Sequence, residues 1–304
     1  MYRIGLLCIL LTSMPLRADM VVSFRDAESQ KDRRHEYNLA LLKLALEKTR
    51  SDYGSYRLQP APAMNIARSV QALKKNEYPN LVVELSYEDS YANTSLTYIP
   101  FPVDLGVVGY RVCFVAPTLP HPLPTDKKRL QRYTIGQGIG WADVEILRHN
   151  GFRVMEVGNY ESLFKMVAAG RFDLLCRGIN ELYLEYESHS EIPSLHYDST
   201  LALHYPLPRF FFIHQSNQLA RERIHKGLLR AYQDGSLQQL WQTEYQSSID
   251  QADLAHRAII ALDNPLIRTL PNDYQQYLYD PLRKQFAAPQ TTKAGSLGGN
   301  SSPH

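Results

Sequence analysis

Residues 132–178 constrain this chain most, because their hydrophobic pattern switches between two periods at short intervals. RYTIGQGIGWADVEILRHNG gives a short apolar run, then Gly136, Gly138 and Gly140, then a helical pattern. FRVMEVGNYESLFKMVAAGRFDLLCRG adds a second strand, a second helix and a third strand. Short strands alternating with helices imply parallel pairing with right-handed crossovers, hence an α/β fold. The glycines stand where a helix N-terminus would turn its free N–H groups toward a ligand.

The same layout occurs once before. MVVSFRDA (20–27) reads as a strand, followed by the charged stretch 28–34 with Asp32 as a suitable N-cap. HEYNLALLKLALEKTRSDYG places Tyr37, Ala40, Leu41, Leu44 and Ala45 at helical spacing and stops at Gly54. YRLQPAPA is a strand interrupted by Pro60 and Pro62, MNIARSVQALKKN an amphipathic helix, and NLVVELSY (80–87) a third strand. No residue-level repeat links the two series. Two apolar extended runs, 99–117 and 201–215, are too long for surface loops. Read as strands, they carry the chain from a first lobe into a second and back, which leaves a cleft between the lobes. A proline-rich loop, 117–126, opens the second lobe. LARERIHKGLLRAYQDGSLQQLWQTEYQ gives two helices parted by Asp234 and Gly235, and LAHRAIIALDNPLI ends at Asn264 and Pro265. The expected organisation is a signal segment at 1–18, lobe one at 19–110, lobe two at 111–204, a return to lobe one at 205–284, and a disordered tail at 285–304. Ligands in such sheets bind beyond the carboxyl ends of the strands, in the interlobe cleft.

MYRIGLLCILLTSMPLRA has the basic start, apolar middle and small final residue of a cleaved export signal. Its apolar run is too short for about 30 Å of hydrocarbon. Leu16 leaves the cleavage site open, and Leu7 before Cys8 argues against a lipoprotein. Removing 1–18 takes Arg3 and Arg17, so Lys+Arg falls from 33 to 31 against 31 Asp+Glu. A neutral chain argues against nucleic acid as a partner, since phosphate binding needs a clustered basic excess. Cys113 and Cys176 remain, each in an apolar strand-like run. They read as buried small hydrophobes. An oxidising compartment keeps a disulfide open, and two cysteines exclude a disulfide framework.

Over residues 19–271 the chain resembles the type II periplasmic binding proteins, specifically the family 3 solute-binding proteins that serve ABC importers of amino acids. The two-lobe order carries the resemblance together with three segments. IGQGIGW resembles the strand and glycine-rich helix start heading that family's second lobe. LFKMVAAGRFDLL resembles its "aL..GrvDa" segment, and LLRAYQDGSLQQLW its "l.kDGt...i..kW" segment. YIPFP and GRFD bring the chain closer to a divergent branch than to the amino-acid carriers. The resemblance implies a two-lobe type II periplasmic-binding fold with two crossing strands as its hinge, in a monomeric, periplasmic binding protein. It implies a small-molecule ligand, an ABC permease or a membrane sensor as partner, and no cofactor or metal. It does not carry amino-acid specificity. The T-x-E-R arginine that holds an α-carboxylate is replaced by SYANTSLTYIP, with Asn93 and Thr94. The aspartate that holds an α-ammonium is replaced by Arg177 and Gly178. A small polar or anionic organic ligand is therefore expected.

The expected ligand-binding set is Gly138, Ile139, Gly140, Trp141, Arg177, Tyr87, Arg111, Tyr110 and Arg25. GQGIG is not G-x-G-x-x-G, which sets aside a dinucleotide. Arg177 follows the strand FDLLC, where its fork suits a carboxylate or instead pairs with Glu181 or Glu185. Arg111 lies in the crossing run and either reaches the cleft or pins the hinge. Trp141 and Tyr87 lead the aromatic candidates, ahead of Tyr91, Tyr110 and Tyr205. Arg25, Arg33 and Arg34 read as a solvated loop, although the corresponding loop closes over ligand in the resembled family. Glu181, Glu185 and His189 fall on one helix face, read as an exposed acidic surface with no metal-ligand spacing. No nucleophile-and-base set has a recognisable context, so the chain reads as a binder and not an enzyme. The enzyme alternative is a dehydratase with Glu181 as its acid.

Overall fold

The computed structural model of the protein describes residues 19–27 and 33–287; the segment 1–18 expected as an export signal, Asp32 and residues 288–304 lie outside them. The first lobe begins with β1 (Met20–Arg25), α1 (Arg34–Lys48), the one-turn α2 (Arg50–Tyr53), β2 (Tyr56–Ala61), α3 (Ile66–Lys75), β3 (Val83–Ser86) and β4 (Leu96–Tyr98). β1 and β2 pair in parallel, and the bridge from Phe24 to Val82 joins β1 to the start of β3. Pro60 is tolerated because β2 forms an outer strand, where its missing N–H faces no partner. α1 buries Tyr37, Leu41, Leu42, Ala45 and Leu46, an apolar stripe at helical spacing. α3 is bounded by its own caps. The Asn65 side chain accepts from the N–H of Arg68, and Asn76 closes the helix in the left-handed region.

The second lobe contains β5 (Tyr110–Val115), α4 (Lys127–Leu130), β6 (Thr134–Gly138), α5 (Ala142–His149), β7 (Arg153–Val157), α6 (Tyr160–Ala168), β8 (Leu174–Gly178), α7 (Leu182–Ser188), β9 (His196–Tyr197) and β10 (Leu201–His204). β6 pairs in parallel with both β7 and β8, as the alternating pattern of 132–178 requires. β5 runs antiparallel to β8 with Cys113 directly opposite Cys176. The two cysteines form a disulfide. The sequence favours buried hydrophobes and leaves a disulfide open. Both are buried, but the register of two neighbouring strands, which no spacing in the sequence reveals, sets them face to face.

The chain returns through β11 (Arg209–His214), α8 (Gln218–Gln233) and α9 (Ser236–Ala252). β11 lies between β3 and β4, antiparallel to each. Each crossing is a proline-bearing segment between two strands. Pro100 and Pro102 interrupt the first crossing, Pro206 and Pro208 the second, because proline cannot donate to a ladder. The two crossings touch at Gly109, where an added Cβ would stand 2.5 Å from the carbonyl oxygen of Tyr205.

α8 packs against α1 at backbone distance. A Cβ at Gly227 would meet the carbonyl oxygen of Ala45 at 2.0 Å. Gly227→Ala is expected to force the helices apart and cost about 1–3 kcal/mol, read as a lowered thermal midpoint.

Residues 205–284 were expected to stay with the first lobe. Instead β12 (Ala258–Ala261) pairs in parallel with β10 as an outer strand of the second sheet. The chain then goes back to the first lobe, where the N–H groups of Arg268 and Thr269 donate to Asp89. It ends in the hairpin β13 (Tyr279–Asp280) and β14 (Gln285–Phe286). Residues 285–287, expected in a disordered tail, belong to the fold because the Phe286 ring packs 5.3 Å from that of Trp241. Among the described residues no helix is long and apolar enough to cross a membrane.

Candidate functional site

The lobes close on a cleft that holds two adjoining cavities of 30 and 60 Å³. Arg34, Glu84, Glu181 and Arg209 line both. Strand alternation fixes the first lobe's contribution. On β3, Glu84 and Ser86 line the cleft while Val83 and, just beyond, Tyr87 join an apolar cluster; Leu85 belongs to that cluster and also borders the cavity.

The second lobe supplies Arg177 from the end of β8 and Glu181 and Glu185 from the helix that follows. Arg177 donates from Nε to both oxygens of Glu185 at 2.9 and 2.8 Å, and from Nη2 to Glu181 at 2.7 Å. Its guanidinium lies 4.5 Å from the centre of the Trp141 ring. Burial opposes the Arg177 charge, but Glu181 and Glu185 outweigh it and hold the guanidinium protonated. Glu185 also accepts from the Tyr160 hydroxyl at 2.8 Å. The face expected as exposed acidic surface is therefore buried. Glu181 is 8% exposed and Glu185 4%, and His189 is stacked on Phe164. A helix starting straight after a sheet strand turns this face into the cleft.

Arg209 ties the lobes together. At the start of β11 it contacts Glu84 of β3, and its Nη1 donates to Glu181 at 3.2 Å. Its Nε is 3.7 Å from Oδ2 of Asp104. Arg34 adds a second bridge, 3.8 Å above the Tyr160 ring. Asp104 itself is 2% exposed, and burial pushes its carboxyl up to about 7. One of its oxygens accepts from the N–H of Gly106 at 3.0 Å.

Of the expected set, Gly140, Trp141, Arg177, Arg111 and Arg25 line the larger cavity. Gly140 has φ +81° and approaches Ala67 of α3 so closely that a Cβ would sit at 3.2 Å. Arg111 does both things expected of it, since it lines the cavity and is held by Asp143 at 2.6 Å and by the Tyr205 hydroxyl at 3.1 Å. Arg25 is buried against the carbonyl of Met64, so its loop start is not the solvated one expected. The glycine loop is less free than expected. The N–H groups of Ile139 and Trp141 already donate to Val157 and Gly138, and the Ile139 side chain is exposed. Gly138 makes room for the Trp141 indole, which a Cβ would meet at 2.4 Å. Tyr87 packs with Tyr98 and Phe210 in the first lobe's core. Tyr110 stacks on His204 and lines a separate groove behind the hinge, because neighbouring strand residues point to opposite faces.

Sequence reasoning did not single out Arg209, Glu84, Asp104 or Asn180. A lone arginine opening the apolar run FFFIH, and a lone aspartate inside FPVDLGVV, were available signals. Among the described residues no group of three or more His, Cys, Asp or Glu side chains is placed to hold a metal ion.

No family model matches the chain, and no curated protein does either. Solved structures do. A GluR0 ligand-binding core in complex with L-glutamate superposes with a TM-score of 0.59 at 10% identity, covering 76% of this chain and 99% of that one. An ancestral arginine-binding protein bound to arginine gives 0.56 at 13% identity, covering 74% and 98%. A histidine kinase sensor domain with similarity to periplasmic binding proteins gives 0.56 at 15%, covering 74% and 95%. At these identities the likeness establishes the fold, which is the two-lobe periplasmic-binding type.

Proposed function

We propose that this chain, with its two-lobe periplasmic-binding fold, is an exported solute-binding protein that closes on a small polar or charged organic molecule and hands it to an ABC-type importer. We assign lobe one to 19–110 with the return from 205 onward, less β12, and lobe two to 111–204 with β12. The reading rests on the cleft, where charged side chains from both lobes (half-buried Arg209 and buried Glu84, Arg177 and Glu181) line one space. A ligand that touches both lobes stabilises the closed state and shifts the population toward it. Among the described residues no group in the cleft is placed as a nucleophile with its base, so capture without turnover is the economical reading.

The likeness to a kinase sensor domain favours one second reading, in which the closed form is presented to a membrane receptor. Both readings need a small ligand. Thermal unfolding of the chain across amino acids, organic acids, sugars and amines tests this, since a ligand at a hundred times its Kd adds about 2.7 kcal/mol. No shift from any compound would overturn it.

The Arg209 bridge makes a separate prediction. Arg209→Met is expected to leave Glu84 and Glu181 repelling across the cleft and so to open the lobes, seen as a larger radius of gyration in solution scattering. An unchanged radius would mean that Arg34 and the hinge alone hold the lobes closed.

A further inference from the structure

The smaller cavity differs from its neighbour in charge. Its lining carries five carboxylates against three guanidiniums, whereas the larger cavity carries four against five. Two oxygens among its lining residues are buried with no hydrogen-bond partner among the described residues, Oδ2 of Asp104 and Oδ1 of Asn180. Both residues are 2% exposed. Arg209 forms only a long ion pair with that Asp104 oxygen, its Nε 3.7 Å away and beyond hydrogen-bond reach, because it is engaged by Glu84 and Glu181. Buried acceptors without donors are costly and call for a partner. Tyr37 and Tyr245 line the same space, and aromatic faces attract cations.

We propose that Asp104 and Asn180 receive a cationic nitrogen of the ligand, so that the molecule captured in the cleft carries an ammonium or guanidinium group. This rests on the cleft being the ligand site. It places the cation in the hinge crossing and the turn after β8, away from the position where amino-acid carriers keep their aspartate, here Arg177 and Gly178. A water molecule would satisfy the same oxygens but would bring no charge, which gives the test its contrast.

Burial dominates the raised Asp104 carboxyl. The charged and titratable groups around it are Glu84 and Arg209 from the first lobe, Glu181 and Arg111 from the second, Tyr37 of α1 and Tyr245 of α9. A cation binds the ionised form, so affinity falls about tenfold from pH 8 to pH 6, where an alkylamine itself stays protonated.

Calorimetric titration of the full chain with putrescine and L-glutamine, each against the analogue bearing hydroxyl in place of amine, decides the matter; succinate serves as an anionic control. The amines are expected to bind at least tenfold more tightly than their analogues, with the pH dependence above. Asp104→Asn and Asn180→Ala are each expected to reduce that preference. If either variant fails to fold, the wild-type preference and pH profile still decide. Analogues or succinate binding as tightly as the amines would overturn the cation subsite and leave the cleft as ligand site. No binding by any of them would overturn the cation subsite, while the wider thermal-unfolding screen decides the cleft.

Discussion

Replacing Cys113 and Cys176 by alanine is expected to lower the unfolding free energy by about 4 kcal/mol, the chain-entropy cost of releasing a closed loop of this length. The two residues are 63 apart in sequence. They stand opposite one another on β5 and β8, the strands that carry Arg111 and Arg177 into the cleft. The disulfide thus pins the register on which the site depends, with Arg111 facing Gly178 and Val112 facing Arg177. Urea unfolding of the double variant against wild type measures the loss. A change below about 1 kcal/mol would mean that the sheet constrains the denatured chain as well as the disulfide does.

The second large effect has the opposite sign. Asp104→Asn is expected to stabilise the protein, and only at high pH. The folded state holds the Asp104 carboxyl at about 7 against an ordinary 3.8, chiefly through burial. The folded protein therefore binds this proton more tightly than the unfolded chain. Its contribution is fully present below about pH 4 and is lost as pH rises through 7, to the extent of about 4 kcal/mol. Asparagine carries no charge and still offers an oxygen to the N–H of Gly106. The variant should gain up to about 4 kcal/mol over wild type at pH 8 and almost nothing at pH 4. Unfolding curves at both pH values, and at pH 6 between them, are the check. An equal difference at every pH would remove the buried charge from the account. The same substitution is expected to reduce the preference for amines, so stability and capture pull against each other at one residue.

Much of the fold was legible because local pattern is enough for α/β units. The series β6–α5–β7–α6–β8 follows from switches between the two periods, and the break at Asp234 and Gly235 lies where α8 gives way to α9. Strand register is not local, and the misplaced strand residues trace to it. Tyr87 and Tyr110 were placed in the cleft, but which face of a strand turns inward depends on its neighbours, so Glu84 and Arg111 hold those places. The disulfide needed the β5–β8 pairing. Arg177 was given two roles, and it does line the cavity while bound to Glu181 and Glu185. Asp104 and Arg209 stand out only once both crossings are known to run side by side, because each is a single charge in an apolar run.

The late strand β12 has a consequence for how the molecule comes into being. The second sheet is not finished until residues 258–261 lie along β10, long after that strand has been synthesised. Until then β10 keeps a bare edge, a template for pairing with another chain. Neither lobe is a continuous stretch of sequence, and closing such distant contacts is slow. A lobe cut out at residues 111–204 would therefore lack its own border.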